Sequence, residues 1–67
     1  MTNAQSRRLA LQRQRNLAED DVRLAREEAL HALEAWVASP DEAHTFALRT
    51  AGQIMLNAEE ALRAVSR

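Results

Sequence analysis

Ser39-Pro40-Asp41-Glu42 is the stretch that decides the fold, because it is the one interruption between two long helical patterns. Ser39 reads as an N-cap, since its hydroxyl can accept from an orphan amide of the next turn. Pro40 suits the first helical position, where a missing N–H costs nothing. Glu42 follows Ser39 by three and completes a capping box, and Asp41 and Glu42 both favour the positive end of a helix. Pro40 also pushes Ser39 out of the α region, which stops the preceding helix. Only a tight turn is left between the helices, so they are expected to pack antiparallel. The expected fold is all-α: an antiparallel, coiled-coil-like two-helix hairpin, completed by self-association or by a partner. Its parts are a basic arm or helix extension over residues 1–15, helix one over 16–38, the turn and cap over 39–42, and helix two over 43–67, with Pro40 in its first turn.

Working back from the turn, Leu11, Ala18, Val22, Ala25, Ala29, Ala32, Leu33 and Trp36 form one stripe of helix one. Its alanines let a partner helix approach closely. Leu30 and Val37 broaden one side of it. Asn16, with Glu19 three residues later, offers a second N-cap, so helix one starts either near Thr2 or only at Asn16; a continuous helix with a loosely held beginning is preferred. Working forward, Ala43, Ala47, Ala51, Ile54, Ala58, Ala61 and Val65 form the inner stripe of helix two, widened by Leu48, Met55 and Leu62. Glu19–Arg23 and Glu59–Arg63 have the spacing of favourable i,i+4 pairs. Gly52 sits inside helix two, where glycine costs about 1 kcal/mol relative to alanine. It marks either a close approach of another backbone or a tolerated change.

A chain of 67 residues is at most one domain and buries a modest core. It has no cysteine, hence no disulfide to staple it. Stability must come from helix packing, self-association or another protein. Leu17, Leu24, Phe46 and Leu56 fall off both stripes, with Met55 at the edge. They are expected to form an exposed apolar surface that binds a partner; the alternative is that isolated exposed apolar residues are ordinary. The net charge of -1 gives no global attraction to nucleic acid or anionic lipid. Neither a membrane span nor a signal peptide is expected, and a cytoplasmic location is the default.

Arg7, Arg8, Arg13 and Arg15 stand in the first fifteen residues without a single acid. They read as an arm for phosphate or an acidic partner, or as a solvated helical extension. No aromatic residue is interleaved for base stacking. Glu28 and His31 spell E-x-x-H, as in di-iron bundles, but the further glutamates such sites require do not fall opposite them. No nucleophile, base and orienting acid come together, and no glycine-rich loop is present. The expectation is a non-enzymatic chain without metal or cofactor.

The length, the Pro40-Asp41-Glu42 turn, the nearby His44 and Phe46, and an Ala/Leu-rich second helix resemble the small co-chaperones of type III secretion needle subunits. The resemblance spans roughly residues 16–65. It implies a hairpin that binds a larger helical-repeat chaperone and helps hold the needle subunit before export. Leu33-Glu34 with Val37, and Glu59-Glu60-Ala61, look like the small subunit of exonuclease VII, which implies an accessory nuclease subunit. Arg13 and Arg23 are similar to the basic face of Rop-like hairpins, which implies a homodimeric four-helix bundle that binds nucleic acid, with the arginine arm as the contact.

Overall fold

Two helices, α1 (Asn3–Ala38) and α2 (Glu42–Val65), make up the computed structural model, which describes residues 3–66. The expected segment ends at Thr2 and Arg67 lie outside the described residues. The helices run antiparallel and pack along one side, giving a rod of 56 × 14 × 14 Å. At ~1.5 Å per residue, α1 alone spans nearly that length, whereas α2 covers only about two thirds of it.

The connection differs from the expected capping box. Ser39 still belongs to the end of α1, its amide donating to the Ala35 carbonyl at 2.9 Å. Pro40 lies outside both helices. Asp41, in extended conformation, is the N-cap of α2, and its Oδ1 accepts from the His44 amide at 2.8 Å. The same oxygen lies 2.7 Å from His44 Nδ1, and Ser39 Oγ donates to Oδ2 at 3.2 Å. Thr45 closes the turn, with its amide and hydroxyl both donating to the Asp41 carbonyl. A carboxylate offers two acceptor oxygens and a charge at the positive helix end, so it outcompetes a serine hydroxyl for the cap. Ser39 becomes a donor to the cap instead. α2 consequently starts later than its expected first turn at Pro40.

α1 is unbroken through Asn16, so Asn16 is an ordinary helical residue and its capping box with Glu19 does not form. The seam is set by a strict alternation of four- and three-residue steps, the pattern of a coiled coil. On α1 it comprises Ala18, Val22, Ala25, Ala29, Ala32 and Trp36; on α2, His44, Leu48, Ala51, Met55, Ala58, Leu62 and Val65. Val22 and Ala25 are the buried residues among those described, at 3% and 5% exposure. α1 therefore presents mostly alanine, and α2 inserts the larger Leu48, Met55 and Leu62 against it.

This corrects several expectations. Leu11 and Leu33, assigned to the α1 stripe, are exposed. Ala43, Ala47, Ile54 and Ala61, assigned to the inner stripe of α2, are exposed as well, and Ile54 is open at 49%. Ala51, Ala58 and Val65 of the expected stripe do face inward, and α2 is rotated so that Leu48, Met55 and Leu62, expected only to widen it, join them in the seam. Met55, expected at the partner surface, lies half-buried in that seam.

The pairing register is fixed by two contacts across the hairpin. Trp36 Nε1 donates to Thr45 Oγ1 at 3.0 Å near the turn. Arg26 Nε reaches Glu59 Oε1 at 3.4 Å near the middle. Glu59 thus serves the facing helix rather than Arg63, and Arg23 pairs with Asp20 at 3.1 Å rather than with Glu19. In this register the last turn of α2 meets α1 at Ala18. Every residue from 3 to 17 is exposed, so α1 overhangs the hairpin by about 20 Å.

Candidate partner-binding surfaces

The helix pattern places more large apolar residues outside the hairpin than inside it. Among the described residues ten of them are exposed, against a buried core of Val22 and Ala25. Their arrangement follows from one rule of helical geometry. A residue one step after a seam position is turned by about 100° to one flank, and a residue one step before it to the other. In an antiparallel pair, equal rotations on both helices reach the same flank.

Arg26 follows Ala25 and Glu59 follows Ala58, so their ion pair marks the first flank. Leu30, Leu33 and Val37 follow Ala29, Ala32 and Trp36, and Leu56 follows Met55; all four are exposed on that flank. Gly52 follows Ala51 and lies beside them. A Cβ built on Gly52 meets no atom within 4 Å, so the hairpin itself does not require a glycine there. The result is an apolar patch toward the turn end with a notch at its centre. Beyond it, Phe46 projects from the back of α2 at 69% exposure, beside an open hollow of about 720 Å³ lined by Glu42, Ala43, Thr45 and Arg49.

The second flank carries Leu17 and Leu24, which precede Ala18 and Ala25, and Ile54, which precedes Met55. Ala47, Ala61 and Ala64 on α2 belong to the same side. The residues expected to form one binding face are therefore distributed. Leu17 and Leu24 occupy the second flank, Leu56 the first, Phe46 the back, and Met55 the seam. Sequence reasoning left Leu30, Leu33, Val37 and Ile54 out of that face. The distinction was present in the spacing, but it becomes usable only when the seam positions are known.

The basic arm is exposed, and Arg7, Arg8, Arg13 and Arg15 form no ion pair with a described residue. Arg8 and Arg15 are seven apart and share a face; Arg7 and Arg13 point to other sides of the helix. The four do not form a single phosphate-facing row. Glu28 and His31 are both exposed, and among the described residues no three His, Cys, Asp or Glu side chains gather to hold a metal ion. No helix among the described residues is long and apolar enough to cross a membrane.

Among the described residues, an electrostatic perturbation lies at the α2 cap. Hydrogen bonds from the His44 amide and then from its ring hold the Asp41 carboxyl below its ordinary value of 3.8; the Ser39 hydroxyl and the His44 charge act in the same direction. This is the expected signature of an ionised N-cap and serves the turn. The chain matches no family model, no curated protein and no solved structure.

Proposed function

We propose that this chain is a non-enzymatic adaptor or co-chaperone whose hairpin docks on a helix of another protein. The observation that supports this reading is the inverted distribution of apolar side chains among the described residues: ten large ones outside, and only Val22 and Ala25 buried. The docking surface is the flank formed by Leu30, Leu33, Val37 and Leu56 around Gly52. The open space at Gly52 admits an incoming helix closely, as an amphipathic helix laid along the hairpin would require. The resemblance to type III secretion co-chaperones, carried by the Pro40-Asp41-Glu42 turn, His44 and Phe46, points to a helical-repeat chaperone as the partner class.

The test is co-purification with a tagged chain in its own cell. The parent should retain a helical protein that a Leu33→Glu/Leu56→Glu variant loses, while the variant keeps the parent's helicity and solution mass. Equal recovery of that protein by both chains would overturn the assignment. The scattered arginines of the arm favour this reading over a nucleic-acid regulator. Phosphate contacts would make binding fall steeply with salt, whereas apolar docking would not.

A further inference from the structure

Residues 7–17 of α1 are all exposed beyond the end of α2, yet they continue the helix. This extension gains no tertiary packing within the chain, which is where most helical stability in proteins arises, so its apolar face is open to a neighbour. The charge pattern shows what kind. Residues 1–15 carry four arginines and no acid, whereas residues 16–67 carry ten acids against five arginines. Asp21, Glu27 and Glu28, just beyond the overhang, have no ion pair with a described residue.

The second flank of α1 has a pattern that is complementary to its own reverse. In steps of three and four, Arg7, Ala10, Gln14, Leu17, Asp21, Leu24 and Glu28 lie on one straight stripe, and each is exposed. Folded back on a second copy with Leu17 at the centre, the stripe sets Leu17 against Leu17, Gln14 against Asp21, Ala10 against Leu24, and Arg7 against Glu28. Apolar meets apolar at the centre and basic meets acidic at the ends, twice over by symmetry. Beside Leu17–Leu24, α2 contributes the short Asn57, Ala61 and Ala64 to this flank, and Ile54 follows at the level of Glu28. A two-fold contact of this kind is closed and self-complementary.

We propose that a second copy of this chain covers the overhang. The two α1 helices pair antiparallel about Leu17, and the arm of each copy lies on the acidic open end of the other. This surface is the flank opposite the one assigned to the helical partner, so the two proposals stand or fall separately.

The chain has no native cysteine, which makes the test specific. A Leu17→Cys variant, with an added oxidant to take up the two electrons, should form a covalent dimer, because facing residues of a tight helix pair bring their Cα atoms within disulfide range. A Val37→Cys variant, on the other flank, should remain monomeric on denaturing gels. By light scattering over a concentration series at low salt, the parent should approach twice the mass of one chain. Arg7→Glu and Glu28→Arg should each raise the dimer dissociation constant about tenfold, and the double variant should recover most of the loss. A parent that stays monomeric throughout the series would overturn the proposal, as would Leu17→Cys cross-linking no better than Val37→Cys, or a charge-swapped double variant weaker than both single variants.

Discussion

Replacing Gly52 with alanine should make the isolated hairpin more stable. Glycine inside a helix costs about 1 kcal/mol relative to alanine, because it gives up more backbone freedom on folding. That gain is realised only if the new methyl group fits. At Gly52 the backbone is ordinary helix without a positive φ, and the added Cβ would find no atom within 4 Å. No steric term opposes the propensity term, so the full ~1 kcal/mol should appear. For a domain of this size that corresponds to a rise in Tm of roughly 4–8 °C. The assay is a thermal melt followed by far-UV circular dichroism, with parent and Gly52→Ala at matched concentration. An unchanged or lowered Tm would refute the reasoning, since it would mean that something approaches Gly52 in the isolated chain. The same substitution should weaken the helical partner, whose backbone would lose the notch. Higher stability together with weaker docking is the combination that a glycine kept for an intermolecular contact would produce.

Other outcomes follow from the packing. Met55→Asp should unfold the hairpin by placing a charge in the seam, while Ile54→Asp should leave it folded with near-parent helicity; denaturant titration of the two variants decides between this seam and the alternative one. Val22→Ala should cost roughly 1–2 kcal/mol from two lost methyl groups at the best-buried position, read as a lower denaturant midpoint. Trp36→Phe removes the indole donor to Thr45 and should lower stability by about 0.5–1.5 kcal/mol in the same titration. Asp41 titrates below its unfolded value, so the unfolded chain binds the extra proton first and the cap's contribution is present above that unfolded value. It should be lost as the pH falls through the lowered folded value. Asp41→Asn, which caps without titrating, should lose less helicity than the parent on acidification; identical acid profiles would remove Asp41 from the account.

The two helices and the break between them are local properties, and the residues declare them directly. A helical period over each half, helix-forming composition and a single proline require no knowledge of the partner surface. The antiparallel arrangement follows from the short connection. The cap was half legible. Ser39, Asp41 and Glu42 all have capping chemistry, and the choice of Asp41 depends on a second donor, the His44 ring, that is positioned only once the first turn of α2 has formed. That choice moves the start of α2.

The seam of α2 was not decided by its sequence, because two stripes of the same period run along that helix. One contains Leu48, Ala51, Met55, Ala58, Leu62 and Val65; the other contains Ala43, Ala47, Thr50, Ile54, Asn57, Ala61 and Ala64. Each could face inward as far as periodicity is concerned. The facing surface of α1 is mostly alanine, and alanine against alanine would leave the space between the helices poorly filled, so the stripe with the larger side chains turns inward. That rotation puts Ile54 outside and Met55 inside, and divides the remaining leucines between two flanks. The sequence alone determined that this chain is a helical hairpin with more apolar surface than one seam can bury. Only the tertiary packing decided which residues are left over, because side-chain volume across an interface is a property of two helices together.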